Sequence, residues 1–307
     1  MKNDLIHGVL KISNLLICSN MEENARLVCS YFQDNKPFLI GRNGSTELEI
    51  LYYYTLYGST IPQQLMDRLE TYSGIFPATQ ESIKKWIEKY LESLASCDVI
   101  AEGWYEAFQI SEKKLLDNII PYRKKILLRN LEPYYFTPEL RWTQYLSGKR
   151  VAIINSFAQT CEEQTYLSKA IWGNTSETLL PSKIQWVPIN TYFPPKIAGT
   201  NSSSNWPLVV KSWEYAVTYI LEKCNENPFE VAIIGCGALG MIIGAELKKM
   251  GIQVIVMGGA TQILFGIKGK RWKNHEVISK FFNDSWIYPP SYLTPTHSQM
   301  IENGCYW

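Results

Sequence analysis

Seven short apolar runs divide the chain between residues 37 and 259, and each is bounded by polar residues or glycine. A run holds about 4–6 apolar residues rich in Val and Ile, which is typical of strands buried on both faces. The predicted strands cover residues 37–42, 97–102, 124–130, 149–157, 183–189, 229–235 and 253–259.

Amphipathic stretches separate these runs and predict helices. In residues 81–94 apolar side chains recur every three or four positions, so a helix there would have one apolar face. Residues 208–224 and 238–250 show the same pattern. Because strands alternate with helices, we expect an α/β fold, with a Rossmann-like, mostly parallel sheet and helices on both of its faces.

The same alternation sets the expected domain organisation. We expect residues 1–36 to form a helical N-terminal elaboration and residues 37–307 to form a single α/β domain. A turn-rich segment before the fourth strand makes 37–148 and 149–307 candidate halves of that domain. The Ser/Asn-rich stretch 199–205 predicts an exposed loop.

Composition narrows the classes of protein that fit. Across 307 residues, 30 Lys plus Arg face 29 Asp plus Glu, and a net charge of +1 argues against a general nucleic-acid binder. The seven cysteines never form a C-x-x-C pair, which disfavours a disulfide framework or zinc knuckle and favours a reducing compartment. No signal-peptide pattern begins the sequence and no apolar run reaches the ~18 residues of a membrane span, so we expect a cytoplasmic protein without a transmembrane segment.

A glycine-rich turn follows the sixth predicted strand. Gly235, Gly237 and Gly240 match G-x-G-x-x-G and open a predicted helix. Such glycines permit a tight turn, and the helix N-terminus offers free N–H groups to a phosphate. A dinucleotide site would also need an acidic residue at the end of the next strand, where 256–259 reads Val-Met-Gly-Gly. A nucleotide or nucleotide-sugar phosphate site, tight strand–helix packing, and a dinucleotide site all stay open.

A basic cluster lies downstream of the seventh predicted strand. Gly258 and Gly259 end that strand, and Lys268, Lys270 and Arg271 follow within a glycine-containing loop. Small residues allow the backbone to approach a ligand, and arginine can bind phosphate oxygens with two hydrogen bonds. The cluster therefore indicates an anion site, and the alternative is a solvated basic loop.

The loop after the first predicted strand carries a third motif. Arg42 and Glu47 flank Gly44 and Ser45, which offers an anion contact and a carboxylate within one loop. Sites of α/β proteins are built at the carboxyl ends of strands. The alternative is a helix start, with Ser45 or Thr46 as the N-cap and Glu47 in the first turn.

This loop, FLIGRNGSTEL, resembles the first loop of the GT-D type glycosyltransferases, whose pattern is R-F-G-D-G-E-L. Arg42, Gly44, Glu47 and Leu48 match that pattern, and Ser45 stands where the family has aspartate. Later segments, GKRVAIINSFAQT and 229–259, are also similar to the family. The tail GGATQILFGIKGKRW, together with the terminal ENGCYW, resembles uncharacterised bacterial and viral relatives associated with surface polysaccharides.

The resemblance implies a glycosyltransferase that moves a sugar from a nucleoside diphosphate donor, expected to be UDP-linked, to a glycan or glycoconjugate acceptor. Arg42, Ser45 and Glu47 would lie at the donor, with Glu47 as the metal ligand or acid–base residue. Mn²⁺ or Mg²⁺ would contribute modestly, because a serine hydroxyl is a weaker ligand than a carboxylate. The remaining expected donor-binding residues are Gly44, Gly235, Gly237, Gly240, Gly258, Gly259, Lys268, Lys270 and Arg271.

Two other functions fit the same residues. A non-catalytic nucleotide-binding or assembly protein could keep the fold and lack the aspartate. A dinucleotide-dependent oxidoreductase would use the glycine-rich turn alone.

Overall fold

The computed structural model describes residues 20–58, 60–103 and 108–307. Of the expected N-terminal elaboration, residues 1–19 lie outside this part of the chain, and residues 20–33 are helical (α1). Within the described part, no helix has both the length and the apolar character needed to cross a membrane.

All seven predicted strands are present and form one parallel sheet in the order β3-β2-β1-β7-β6-β4-β5. Their bounds are β1 Phe38–Arg42, β2 Val99–Glu102, β3 Lys124–Leu127, β4 Arg150–Asn155, β5 Gln185–Asn190, β6 Val231–Gly235 and β7 Gln253–Val256. The prediction of a Rossmann-like parallel sheet is confirmed.

Helices connect these strands along both faces of the sheet. Their bounds are α2 Ser45–Tyr57, α3 Gln63–Ser73, α4 Gln80–Ser96, α5 Gln109–Ile119, α6 Ala158–Thr165, α7 Ser168–Trp172, α8 Ser176–Leu179, α9 Pro195–Ala198, α10 Trp213–Glu226, α11 Gly240–Lys249 and α12 Thr261–Leu264. The predicted helices at 81–94 and 238–250 correspond to α4 and α11. The helix predicted over 208–224 starts later, at Trp213, because the backbone of Ser212 before it is extended.

Two hydrophobic layers cover the two faces of the sheet. In β6, Ala232 and Ile234 pack in the layer with α2, α3, α4, α10 and α11. Val231 and Ile233 pack in the opposite layer with α1, α6, α7 and α12. Because alternate side chains of a strand point to opposite faces, both sets of an apolar run become buried.

The order of the strands creates a crevice at their carboxyl ends. Strands β4 and β6 are neighbours, but the chain leaves β4 towards β5 on one side and leaves β6 towards β7 on the other. Loops that diverge in this way leave an opening where α/β proteins bind ligands. Asn155 and Gly235, the last residues of β4 and β6, are paired in register at this opening.

The Ser/Asn-rich stretch 199–205 is an anchored loop. Ser202 and Ser203 are exposed, as predicted, but Ser204 is buried. The Asn201 side-chain amide donates hydrogen bonds to the carbonyls of Tyr292 (3.0 Å) and Thr294 (2.7 Å). These two hydrogen bonds anchor the loop to the segment that contains Tyr292 and Thr294.

Candidate functional site

A cleft lies at the carboxyl edge of the sheet, over the divergence of β4 and β6. The loops after β1, β4, β5, β6 and β7 line it, together with the end of α3 and residues 301–306. Its volume is about 160 Å³, whereas small-molecule sites commonly span roughly 300–1,000 Å³. The cleft is therefore small for a ligand of the size of a nucleotide sugar.

Most of the residues singled out in the sequence border this cleft, although they come from three separate segments. They are Arg42, Gly44, Ser45, Glu47, Gly235, Gly237, Gly258, Gly259 and Arg271.

Gly240, Lys268 and Lys270 do not line the cleft. Gly240 starts α11, where an added Cβ would lie 3.1 Å from Cγ1 of Val256. The Lys268 ammonium lies 5.2 Å from the ring centre of Tyr288, and Lys270 is exposed. The loop turns between these residues, so of the three predicted cations only Arg271 reaches the cleft.

Arg42 ends β1 and projects beside the first glycine after β7. Its Nε donates a hydrogen bond to the carbonyl of Asn43 at 3.0 Å. Gly258 has φ +65°, and an added Cβ would lie 3.1 Å from Nη1 of Arg42. Gly258 is therefore favoured by its positive φ, and a side chain there would also contact the guanidinium closely.

Glu47 lies in the first turn of α2 and is only 5% exposed. Burial raises the pKa of its carboxyl, while its own N–H, the charge of Arg42 and the Ser73 hydroxyl act in the opposite direction. An added Cβ on Gly44 would lie 2.6 Å from Cδ of Glu47. Gly44 thus leaves the space that the carboxylate occupies.

The residues around Glu47 do not fit a divalent ion held by the protein itself. Among residues 20–58, 60–103 and 108–307, no three His, Cys, Asp or Glu side chains are grouped to hold a metal ion. Glu47 is a single carboxylate with a raised pKa, and Ser45 offers only a hydroxyl. Mn²⁺ and Mg²⁺ prefer several oxygen ligands that include carboxylates.

Two glycines of the G-x-G-x-x-G turn, Gly235 and Gly237, are required by neighbouring backbone atoms. An added Cβ on Gly235 would lie 2.6 Å from the carbonyl oxygen of Gly258. Gly237 has φ +58°, and an added Cβ would lie 2.5 Å from the carbonyl oxygen of Ser73. Close packing therefore accounts for these glycines, while Gly235 and Gly237 also border the cleft.

Cys236 also borders the cleft, within the glycine-rich turn, and its side chain packs against the hydrophobic core. Burial raises the pKa of this thiol far above its ordinary value. Cys236 therefore stays protonated at neutral pH and is a poor nucleophile.

Asn155 is a cleft residue that belongs to none of the three sequence motifs. It is 4% exposed, and its side-chain amide donates to the carbonyl of Gly235 at 2.8 Å. Its Oδ1 accepts a hydrogen bond from the N–H of Phe157 at 2.8 Å. Asn155 thus fixes the loops of the two diverging strands to each other. In the sequence, Asn155 could be recognised as a candidate site residue because it is a polar residue at the end of an apolar run.

Three further cleft residues come from distant parts of the sequence. The side-chain amide of Gln262 donates to the carbonyl of Tyr306 at 3.2 Å. The Arg271 guanidinium lies 4.7 Å from the ring centre of Tyr306 and forms an ion pair with Glu302. Glu302 and Tyr306 lie in the terminal ENGCYW, which is part of the resemblance of the tail, but no local spacing places them at the cleft.

Comparisons with known proteins give no family. No family model matches the chain, and no curated protein matches it. One similar solved structure is described as the selenomethionine-substituted structure of "domain of unknown function 1792". It has a TM-score of 0.42 and 13% identity, and the match covers 80% of this chain and 83% of that one. At these values the likeness bears on neither family nor activity.

Proposed function

We propose that this chain is a glycosyltransferase that transfers a sugar from a nucleoside diphosphate sugar to a glycan or glycoconjugate acceptor. One observation carries the proposal: Arg42, Glu47 and Arg271 border a single cleft, although they lie in separate segments of the sequence. Two cations and a buried carboxyl group are the side chains that transfer from a diphosphate uses.

The two arginines would bind the diphosphate. When the bond from the anomeric carbon to the diphosphate oxygen breaks, negative charge collects on the leaving nucleoside diphosphate. Guanidinium groups bind phosphate oxygens with paired hydrogen bonds and stabilise that charge. Arg42 is held at the end of β1, so its position is set by the sheet rather than by a loop.

Glu47 would act on the acceptor. The acceptor hydroxyl oxygen forms the new bond to the anomeric carbon, and Glu47 takes the hydroxyl proton. Burial raises the pKa of Glu47, which brings the group nearer the pH at which general bases are most effective. Ser45, in the same turn, would contact the donor through its hydroxyl. We expect UDP to be the nucleotide.

The reaction would proceed without a resident metal ion, because the donor set at Glu47 and Ser45 does not fit one. Charge stabilisation then depends on Arg42 and Arg271. Divalent ions that arrive with the donor phosphates would help only modestly.

A panel of nucleoside diphosphates, their sugars and NAD tests this proposal in a thermal-shift assay, because a ligand that binds the native state raises the melting temperature. Release of nucleoside diphosphate from each donor is measured in parallel, with and without Mn²⁺. We expect a nucleoside diphosphate and its sugar to raise the melting temperature and the sugar to turn over. A response to NAD alone would contradict the proposal.

Non-catalytic nucleotide binding is the second candidate. It is favoured by Ser45, which replaces the aspartate of the glycosyltransferase pattern. Binding of nucleoside diphosphates with no turnover of any donor, under every metal condition, would support it over catalysis.

A further inference from the structure

We propose that Glu302 occupies the anion-binding position of Arg271 with its own carboxylate, and that a bound diphosphate displaces it. Glu302 would then set how strongly the cleft accepts an anionic ligand. The identity of that ligand as a diphosphate rests on the proposed function.

Arg271 has the contacts of an anion-binding residue, and its ligand at present is a carboxylate of the same chain. Nη2 of Arg271 forms an ion pair with Oε2 of Glu302. Nη1 donates to the Tyr306 hydroxyl at 3.3 Å, and the guanidinium stacks on that ring. Both Arg271 and Glu302 border the cleft, so a phosphate entering there would compete with Glu302.

The backbone at Glu302 is held in an uncommon conformation. Glu302 has φ +45°, Asn303 has φ +57° and Gly304 has φ +73°. For a residue other than glycine, the left-handed backbone conformation costs of order 1 kcal/mol, and it persists only where the surrounding structure requires it. The ion pair to Arg271 is one contact that the segment gains in return.

The flanking anchors allow the Glu302 side chain to move without the segment. The Arg271 N–H donates to the carbonyl of Cys305 at 3.0 Å, and Gln262 holds the carbonyl of Tyr306. The N–H of Cys305 also bonds to the carbonyl of Ile301 at 3.3 Å. In contrast, the side chain of Glu302 is 50% exposed, so a rotation releases its carboxylate into water.

The cleft is also small, and Glu302 is one of the side chains that border it. The ~160 Å³ present leaves too little room for a nucleotide sugar. Rotation of Glu302 away from Arg271 would break their ion pair and free a cation at the cleft.

The test compares binding of inorganic pyrophosphate by calorimetry to the wild-type chain, Glu302→Gln and Glu302→Gly. Gln removes the charge and keeps the size, and Gly suits the positive φ. Both variants should bind pyrophosphate about three- to tenfold more tightly, because a competing anion is gone. Glu226→Gln is the matched control, since it removes a carboxylate from an exposed pair with Lys223 and should leave the affinity unchanged.

The same change in a variant that lacks Arg271 tests whether Glu302 acts through this arginine. In Arg271→Ala, the further change Glu302→Gln should bring no gain in pyrophosphate affinity. A gain that persists there would mean a general effect of charge, and it would overturn the proposal. Equal or weaker binding by both Glu302 variants, with measurable wild-type binding, would also overturn it while leaving the proposed function intact.

The two hypotheses fail separately. If the Glu302 variants gain pyrophosphate affinity but no nucleoside diphosphate binds and no donor turns over, Glu302 acts as proposed and the glycosyltransferase function is wrong. If neither the wild type nor any variant binds pyrophosphate, the proposal for Glu302 is wrong, and binding and turnover of nucleoside diphosphate sugars decide the proposed function separately.

Discussion

Gly44 and Glu47 depend on each other, because a Cβ at position 44 would lie 2.6 Å from Cδ of Glu47. The two residues belong to the same loop motif, and the structure gives their spacing a physical reason. Gly44 has φ −83°, which any residue can adopt. The glycine is needed for the room it leaves, so its substitution reports on the position of the carboxylate.

Gly44→Ala should therefore displace Glu47 and lower donor turnover by about tenfold or more, as expected for a misplaced general base. Stability should fall by about 1–3 kcal/mol through overpacking. The measurements are turnover and urea unfolding of Gly44→Ala, Glu47→Ala and the double variant. With Glu47 truncated, Gly44→Ala should cost little, and equal costs in both backgrounds would show that the two residues are independent.

Glu47→Gln should separate stability from activity. Turnover should drop by about tenfold or more, because an amide cannot accept the proton. The folded-state pKa of Glu47 is raised, chiefly by burial. The stability that this group contributes is present below its unfolded-state pKa and is lost as pH rises through the folded-state pKa. Glu47→Gln should thus be at least as stable as wild type at pH 8 and lose this advantage towards pH 4.

Asp117→Asn is the control, because the pKa of Asp117 is shifted in the opposite direction from that of Glu47. The hydrogen bond from Lys125 lowers the pKa of Asp117, so its contribution to stability is present at neutral pH and is lost on acidification. Urea unfolding at pH 4 and pH 8 compares the two variants. The same pH trend for both would show that burial of Glu47 is not what shifts its pKa.

The fold could be predicted from the sequence because its strands are buried on both faces. Alternating residues such as Ile233 and Ile234 enter opposite hydrophobic layers, so an uninterrupted apolar run marks each strand. The order of the strands could not be predicted, because it depends on contacts between distant segments. The late start of α10 could not be predicted either, because the exposed Leu208 and Val209 continue the apolar pattern before the extended backbone of Ser212.

The site could be predicted only where it directly follows a strand. Arg42 and Gly235 end β1 and β6, and parallel strands bring such ends to one edge. Lys268 and Arg271 are close in sequence, but a turn sends Lys268 to the ring of Tyr288 instead of the cleft. Glu302 reaches Arg271 from 31 residues away, which no local pattern encodes.

Gly237→Ala should be strongly destabilising. The position combines φ +58° with an added Cβ 2.5 Å from the Ser73 carbonyl oxygen, and backbone atoms cannot move aside cheaply. We expect a loss of about 2 kcal/mol or more in the free energy of unfolding. Gly251→Ala is the matched control, because Gly251 has φ +91° but nothing within 4 Å of an added Cβ. Equal losses for both would mean that the Ser73 contact is unimportant.

Arg271→Ala should weaken nucleoside diphosphate binding by about tenfold, the range for a lost charge-assisted pair of hydrogen bonds. Lys268→Ala is the matched control: it removes a cation from the same loop, but one that lies against Tyr288 and not in the cleft. Its affinity should stay within about twofold of wild type.

Removal of divalent ions with EDTA tests the role of Arg271 further, because the arginines and a metal ion are alternative ways to stabilise the leaving diphosphate. The donor set around Glu47 does not fit a resident divalent ion, so a substantial part of the turnover should persist in EDTA. In EDTA, Arg271→Ala should lose more activity than in Mn²⁺, since no second source of positive charge remains. Complete loss of wild-type turnover in EDTA, with Arg271→Ala unaffected in Mn²⁺, would show that a metal ion carries the charge and that Arg271 only anchors residues 302–306.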